Sequence, residues 1–452
     1  MGNNLDSGFQ SPPHKFLKDI RKQTNYKLRS IAVSQRRRSS YGMEKREENT
    51  SAEAEVNALS VKKFIIGNPS FLDDLIVKHV SQDRVRAWLK KAKQDSEASK
   101  SVEDRIRTVE EISERSLRHL QILLINRSFL SYPFKWNRDE LSDLLELPDP
   151  VESIHKINSH SFKYTDVPVD QINRYFIHMV KNLLGKHAFP MPELCYFLCT
   201  LKRNYYKVEY HNYNHALSHA QCMYWVLLKN PGLFTELEMK ALMIASLAHD
   251  VGHPGFNEGY LKTFRGGLEK LYHTPMLENH HVQTCFLILQ DINCNVFRDF
   301  NADDYKTILS EVQHAIISTS LNRYKMQTEN LRHLIASGLD LAQEQERGAL
   351  KSVLMMVCDL GGCWKPWQEH KSTVWCLYKE FFNQGDKEQL FGVDSIPQMQ
   401  RKNSDQIPKY QISFLETMVL PIFQIAAEAL PNIKKIVEST QENLELWTTY
   451  LP

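Results

Sequence analysis

Apolar positions recur at helical spacing through most of this 452-residue chain. An apolar stripe from Val102 to Ile112 has spacings of three and four residues, with charged residues between its members. Glu236–Ala248 is apolar on nearly all sides, which is typical of a buried helix. Glycine and proline cluster at breaks, and no segment alternates as a half-buried strand does. The pattern therefore predicts an all-α fold.

The chain divides into three parts by composition. Residues 1–55 are rich in Ser, Asn, Gln, Lys and Arg and poor in branched apolar residues, which predicts a disordered basic tail. Residues 56–134 have the helical pattern and predict a helical N-terminal extension, which either forms a homodimer or packs on its own domain. Residues 135–452 predict one large helical domain.

Positive charge is concentrated in the tail. The net charge is +2, but residues 1–46 hold 11 Lys and Arg against 3 Asp and Glu. The overall balance favours neither nucleic acid nor a membrane surface as a partner. Ser39 and Ser40 follow Arg36–Arg38 directly, so a basophilic kinase is a candidate partner that would reverse the local charge. The alternative is a solvated basic run without modification.

The eight cysteines predict a reduced, cytoplasmic protein. They all follow residue 190, form no C-x-x-C pair and lie mostly in apolar runs, which is typical of buried thiols. No stretch approaches the roughly 20 apolar residues of a membrane span. We therefore expect neither a disulfide framework nor a membrane span.

Three separated segments hold candidate metal ligands. His211 and His215 lie four residues apart, which predicts that they share one face of a helix. His249 and Asp250 end an apolar helix, and Asp359 follows another apolar run. Because unpaired buried carboxylates are costly, a shared cation explains this pattern well, although structural His–Asp hydrogen bonds are an alternative. Imidazole and carboxylate suit Zn²⁺, Mn²⁺ or Mg²⁺, so the residues predict a metal-dependent hydrolase.

The chain resembles the class I 3′,5′-cyclic nucleotide phosphodiesterases. The resemblance rests on motifs in the family's order: Tyr210–Ala216, His249–Gly255, Leu277–His281, Glu380–Asp386, Gln411–Phe414 and Asn443–Trp447. It implies that residues 135–452 form a compact multi-helix catalytic domain. It also implies hydrolysis of cAMP, cGMP or both to the 5′-monophosphate, which ends cyclic nucleotide signalling.

The resemblance further implies two divalent ions. His215, His249, Asp250 and Asp359 match the ligands of a tightly held Zn²⁺. Asp250 and Asp359 also match residues that face a second ion, Mg²⁺ or Mn²⁺. In the family's mechanism, a hydroxide between the two ions attacks phosphorus.

The remaining roles implied by the resemblance concern proton transfer and substrate binding. His211 matches the general acid that protonates the departing O3′. Glu278 matches a carboxylate that holds metal-bound water, and His253 lies beside it. The substrate-binding residues implied are Tyr210, Leu377, Phe381, Gln411 and Phe414. Among these, the spacing of Gln411 and Phe414 independently predicts that one helix presents both, although Phe414 alone also fits an ordinary core aromatic.

Four positions depart from the family's pattern. Glu258 replaces an Asn or Gln, Ser218 and Ser320 stand where many members have Asp, and Gly362 stands where several have Asn. These departures leave a weakened nucleotide-binding or scaffolding homologue as the main alternative. Another His–Asp metallohydrolase acting on linear phosphate esters is a further one. Base preference stays open because the Gln411 amide can rotate to serve either purine.

Overall fold

The computed structural model describes residues 138–146, 156–264, 272 and 274–450. Within them every regular element is helical, which confirms the predicted all-α class. The described α-helices are α1 Arg138–Glu146, α2 Ile172–Leu184, α3 Met191–Asn204, α4 Tyr213–Lys229, α5 Glu236–Ala248, α6 Glu258–Phe264, α7 Met276–Gln290, α8 Ala302–Ser318, α9 Tyr324–Ala336, α10 Glu344–Asp359, α11 Trp367–Leu390, α12 Ile407–Phe414, α13 Leu420–Ala429 and α14 Lys435–Thr449.

Short helical turns connect these helices. One π-helical turn, Leu415–Val419, joins α12 to α13. The 3₁₀ segments are Tyr164–Asp166, Leu321–Arg323, Leu360–Trp364, Pro397–Met399, Arg401–Gln406 and Pro431–Ile433. Two predicted segments lie outside the described residues: the tail 1–55 and the helical, dimer-forming extension 56–134. The proposed kinase sites Ser39 and Ser40 lie there too. The disorder, the dimer and the modification therefore stay predictions.

Helix α5 is the centre of the core and has the bounds that the sequence predicts. Thr235 and Glu238 form a capping box at its start: the Thr235 hydroxyl accepts the Glu238 N–H at 3.2 Å, and the Glu238 carboxylate accepts the Thr235 N–H at 2.9 Å. Every residue from Ala241 to Ala248 is buried. The helix packs against α4 and α8, so its last residues lie in the interior of the domain.

A buried lysine fixes α10 against α5 and α8. Lys351 of α10 is almost fully buried, and its Nζ lies 2.8 Å from Glu238 Oε1 of α5 and 2.6 Å from Glu311 Oε2 of α8. Breaking a buried ion pair by removing one partner is strongly destabilising, because it leaves an uncompensated charge. The triad therefore holds the two helices whose C-terminal ends carry His249, Asp250 and Asp359.

One described helical run, 401–429, is long and apolar enough to cross a membrane by length and composition alone. A single run of this kind is weak evidence, because the core helix of a folded domain passes the same test. Ile407, Leu415, Val419 and Phe423 of this run are fully buried in the hydrophobic core. Part of the run therefore packs in the core of the described domain.

All eight cysteines lie in the described part of the chain and are free thiols. Seven are buried and Cys376 is partly buried. Burial raises the pKa of thiols such as Cys285, to about 12, so they stay protonated at neutral pH. The reduced state of the thiols and the cytoplasmic location stay predictions.

Candidate active site

Asn212 determines where α4 begins and how His211 and His215 are placed. Its backbone is extended, and its side-chain oxygen accepts the N–H groups of Asn214 at 3.0 Å and His215 at 3.3 Å. His215 therefore lies in the first turn of α4, whereas His211 precedes the helix. The prediction that both histidines share one helix face is wrong, because the cap residue between them is not helical. Their rings nevertheless lie 5.8 Å apart.

His249 and Asp250 follow the end of α5 and enter a glycine turn. The His249 Nδ1–H donates to the carbonyl oxygen of Ser246 at 2.9 Å, so Nε2 is the ring nitrogen that faces His215, Asp250 and Asp359. Gly252 has φ of +80°, and a Cβ there would lie 2.8 Å from His280 Nε2. A glycine is therefore required both by the turn and by the close approach of α7.

Four side chains from three helices meet at one point. Asp359 Oδ1 lies 3.0 Å from His215 Nε2 and 3.2 Å from His249 Nε2. Asp250 Oδ2 lies 3.4 Å from His215 Nε2 and 3.3 Å from His249 Nε2. One ligand atom from each residue falls within 4.8 Å of all the others. The structure thus brings together the four residues that the sequence proposes as metal ligands.

The donors of this cluster fit a divalent cation. The two Nε2 atoms face each other at 3.2 Å, and Asp250 Oδ2 has no hydrogen-bond partner in the described residues. Burial disfavours charge on His249, but Asp250 and Asp359 outweigh burial and raise its pKa to about 10. The same field stabilises any positive charge at this point. Two imidazoles and two carboxylates are a ligand set typical of zinc.

His211 is held by a buried carboxylate from α11. Its Nδ1 is hydrogen-bonded to Glu380 Oε1, while Glu380 Oε2 accepts the backbone N–H groups of Tyr210 at 2.9 Å and His211 at 3.2 Å. Burial alone would lower the pKa of His211, but Glu380 raises it to about 9. Burial opposes ionisation of Glu380 too, yet His211 lowers its pKa to about 2. The pair is therefore an imidazolium and a carboxylate at neutral pH.

His253 and Tyr210 enclose the His211 ring. His253 stacks on it with the ring centroids 3.9 Å apart, and its Nδ1 accepts the Gly255 N–H at 3.1 Å. Burial, with a further contribution from His211, lowers the pKa of His253 well below its usual value. Tyr210 meets His211 edge to face at 4.8 Å and lies 4.5 Å from the His215 ring. The neutral His253 thus adds no competing charge beside His211.

A cavity of about 690 Å³ is lined by residues of the metal cluster and by the His211–Glu380 pair. His211, Asp250, His253 and Asp359 line it, as do the predicted substrate-binding residues Tyr210, Leu377, Phe381, Gln411 and Phe414. Gln411 and Phe414 both lie on α12, which confirms that one helix presents them. Phe414 is only partly buried, whereas the following Leu415 and Val419 are fully buried. Its ring is therefore available to the cavity as well as to the core.

Comparisons with known proteins agree with this geometry. A family profile described as 3′5′-cyclic nucleotide phosphodiesterase matches residues 210–440, which is 231 of the 452 residues. The chain belongs to this family. The match contains every residue proposed above for the metal cluster, the His211 dyad and the cavity.

Relatives and solved structures show the same likeness. A probable 3′,5′-cyclic phosphodiesterase, pde-5 of Caenorhabditis elegans, is 30% identical over 70% of this chain and 44% of its own length. A cGMP-specific 3′,5′-cyclic phosphodiesterase of Drosophila melanogaster is 31% identical over 70% of this chain and 29% of its own. The chain thus spans less than half the length of these relatives.

Among solved structures, the phosphodiesterase domain of the RhoPDE fusion protein of the choanoflagellate Salpingoeca rosetta has a TM-score of 0.63 and 25% identity. That match covers 65% of this chain and 95% of the solved one. The structure of LmjPDEB1 in complex with IBMX has a TM-score of 0.65 at 21% identity and covers 70% of this chain and 98% of its own. The likeness to LmjPDEB1 concerns the fold alone.

The departure at Glu258 has a structural explanation. Its Oε1 accepts the backbone N–H groups of Met276 and Leu277 at the start of α7, and Lys262 lies 3.4 Å from its other oxygen. A carboxylate at a helix N-terminus is favourable, because the orphan N–H groups there carry partial positive charge. Glu258 thereby holds the helix that carries Glu278, so it supports the site.

Ser320 and Glu278 are buried polar groups in the cavity wall. The Ser320 hydroxyl and Glu278 Oε2 have no hydrogen-bond partner among the described residues. Burial raises the pKa of Glu278 to about 7. Such groups are normally satisfied by water or by a ligand. Both residues line the same cavity as Asp250, where water or a hydrated ion would satisfy them.

Two contacts of the site were not predicted from the sequence. Glu380 belongs to a motif that the sequence identifies, but its partner His211 is 169 residues away, so spacing gives no signal. His281 directs Nε2 towards Asp250 Oδ1 at 3.6 Å, while its Nδ1–H donates to the Val251 carbonyl at 2.9 Å. The pair His280–His281 in the sequence was a visible signal for the second contact.

Asp359→Ala is expected to abolish tight metal binding. The change removes the only carboxylate that α10 contributes to the four-residue cluster, while His215 and His249 remain. Metal content after dialysis, measured by mass spectrometry, should show zinc in the wild type and little in the variant. Asp405→Ala removes an exposed carboxylate and should keep the wild-type content. A folded Asp359→Ala protein with wild-type zinc would contradict the proposed site.

Proposed function

We propose that this chain hydrolyses 3′,5′-cyclic nucleotides to nucleoside 5′-monophosphates. The observation that carries the proposal is that Asp250 and Asp359 of the four-ligand cation cluster line the same cavity as the protonated His211, Gln411 and Phe414. Family membership and the names of the relatives support the reaction class. Because the relatives are much longer, the reaction is assigned to this chain as a proposal.

His215, His249, Asp250 and Asp359 would hold a Zn²⁺, and the two carboxylates would also face a second ion, Mg²⁺ or Mn²⁺. Such ions, when bound, stabilise charge on phosphoryl oxygens and lower the pKa of water. The anionic field of the two aspartates is what this chain supplies. His281, Glu278 and Ser320 lie around the same point and would orient water there.

His211 would supply the proton that the leaving group needs. Water adds to phosphorus and gives up a proton to the solvent, the bond from phosphorus to O3′ breaks, and the departing O3′ takes a proton from His211, which the solvent then reprotonates. Because Glu380 occupies Nδ1, the transferable proton is on Nε2. Glu380 keeps the imidazolium populated at neutral pH, and this matches the requirements of a general acid.

Phe414 and Gln411 would bind the base. The ring offers a flat apolar face to any purine, while the buried amide offers hydrogen bonds. Leu377 and Phe381, one turn apart on α11, would supply the opposite apolar wall. This arrangement suits cAMP and cGMP alike, and the cGMP-specific relatives make cGMP the first substrate to assay.

The non-catalytic alternative is less well supported. A scaffolding homologue has no need of a protonated His211 held beside an intact cation cluster. Glu258, the departure that favoured that alternative, makes hydrogen bonds to α7 and leaves the cluster unchanged. We therefore favour hydrolysis, in a protein whose cytoplasmic location remains a proposal.

The deciding experiment is a turnover assay of the metal-loaded protein. With Mg²⁺ or Mn²⁺ present, cGMP or cAMP should give the 5′-monophosphate, resolved by chromatography. Asp359→Ala serves as the control for contaminating activity, and His211→Ala should keep its metal but lose about 10²- to 10⁴-fold in rate. Binding of cyclic nucleotide without any turnover would instead establish the scaffolding alternative.

Glu380→Gln should move the alkaline limb of the pH–rate profile to lower pH. In the wild type, the acid form of His211 is lost as pH rises through about 9. Without the carboxylate, burial is no longer outweighed, so the pKa of His211 falls and the acid form is lost earlier. The pH dependence of kcat checks this, with proton NMR of the imidazole as a second readout.

The matched control for this change is Glu369→Gln. Glu369 is also a buried carboxylate of α11, but it accepts hydrogen bonds from Thr165 and does not line the cavity. The Glu369→Gln variant should leave the alkaline limb of the pH–rate profile in place. An unshifted limb in Glu380→Gln would show that His211 is not the titrating acid.

Phe414→Ala should raise the KM of both cyclic nucleotides. Stacking of a base on an aromatic ring is worth about 1–3 kcal/mol and is tolerant of base identity, so both should weaken by a similar factor. Metal content should be unchanged, because the cluster contains no residue of α12. Phe391→Ala, an exposed ring outside the cavity, is the control. Unchanged KM values in Phe414→Ala would make Phe414 a core residue only.

A further inference from the structure

The closing motif Asn443–Trp447 lies behind the cavity wall. It belongs to α14, which packs against the 3₁₀ turn Leu360–Trp364. That turn follows Asp359 directly, and its residues Leu360, Gly362 and Cys363 line the cavity. No residue of α14 lines it. The helix therefore supports the wall without reaching the substrate.

Trp447 contacts the wall through His370. The fully buried Trp447 donates its Nε1–H to His370 Nε2 at 2.7 Å, and His370 donates its Nδ1–H to the Gly362 carbonyl at 3.0 Å. Only the neutral imidazole with its proton on Nδ1 makes both bonds. Burial lowers the pKa of His370 to about 4, which keeps the ring neutral.

Asn443 holds the same turn at its end. Its buried Nδ2 donates to the carbonyl oxygens of Cys363 and Lys365, both at 2.8 Å. The Lys365 side chain in turn donates to Gln221 Oε1 at 2.7 Å and to the His160 carbonyl at 3.1 Å. Three carbonyl groups of one short segment, those of residues 362, 363 and 365, are thus fixed by buried side chains.

The cavity wall is closely packed at Gly362 and leaves no room for a side chain there. A Cβ on Gly362 would lie 2.8 Å from Thr373 Cγ2, and both residues line the cavity. The Thr373 hydroxyl is hydrogen-bonded to the Tyr164 hydroxyl at 2.7 Å. Thr373 is therefore anchored on the far side. A displacement of the turn would therefore move the cavity-lining residues Leu360, Gly362 and Cys363.

We propose that Trp447 and Asn443 are positioning residues for the bound nucleotide. They act through His370 and the carbonyl groups of Gly362 and Cys363, and so set the position of the wall that the nucleotide contacts. This inference rests on the proposed function, since it takes the cyclic nucleotide as the occupant. These bonds reach the turn that follows Asp359 and involve none of the four residues of the metal cluster.

Trp447→Phe tests the proposal, with Trp225→Phe as its matched control. Both indoles are buried, but Trp225 belongs to α4, lies outside the turn Leu360–Trp364 and does not line the cavity. Trp447→Phe should raise KM for cGMP and cAMP by about two- to tenfold, the range of one buried hydrogen bond, with kcat and metal content unchanged. Asn443→Leu should act in the same direction, and Trp225→Phe should keep the wild-type KM.

Two measurements distinguish a loss of nucleotide positioning from a general loss of protein stability: the thermal unfolding temperature and the calorimetric Kd for cGMP. Both tryptophan variants should unfold at lower temperature, but only Trp447→Phe should weaken cGMP. Wild-type KM and Kd in Trp447→Phe, or equal weakening in Trp225→Phe, would overturn the inference. A wild-type protein that binds cGMP without turnover would overturn the proposed function alone, and Kd would still report on the wall.

Discussion

The cavity depends on keeping two carboxylates ionised inside the protein. Asp250 follows α5 and Asp359 ends α10, and both helices are apolar over the turns that precede these residues. Burial disfavours the charge of each, yet the neighbouring histidines, His249 foremost for Asp250, hold both pKa values well below the usual range. The C-terminal ends of the two helices add partial negative charge at the same place. The two carboxylates and the helix ends together create a negative potential that a bound divalent cation would neutralise.

This field requires that the two helices cannot move apart. The Lys351 ammonium joins α10 to α5 through Glu238, and Glu238 also caps α5. One buried carboxylate therefore fixes both the start of α5 and its distance from α10. The contact joins the first turn of α5 to the middle of α10, and it helps to hold His249, Asp250 and Asp359, which lie at the C-terminal ends of these helices.

Local features of the site were predictable from the sequence, whereas its long-range contacts were not. The bounds of α5 and the shared helix of Gln411 and Phe414 follow from period and spacing, because both are properties of a single helix. The placement of His211 was mispredicted because the periodicity ignored the cap at Asn212. The Glu380 contact to His211 and the Trp447 contact to His370 join residues of different helices, and no local pattern encodes them.

Helix α11 shows how much a single helix can contribute once its face is known. Leu377, Phe381 and Gln384 line the cavity at spacings of four and three, and Glu380 lies on the same face. The one helix therefore supplies both an apolar wall of the cavity and Glu380, the carboxylate that keeps His211 protonated. Its earlier turns carry His370 and Thr373, so the same face also meets the turn after Asp359. Proton transfer and nucleotide fit are thus linked through one rigid element.

Glu258 illustrates how a departure from a family's pattern acts through charge. An amide oxygen at this position would also accept the N–H groups at the start of α7, so the hydrogen bonds alone do not require a carboxylate. The carboxylate adds a negative charge that the helix N-terminus and Lys262 offset. It also lies near Glu278, whose pKa is raised first by burial and then in part by Glu258. The departure therefore alters the protonation of Glu278 near neutral pH, while the position of α7 is kept.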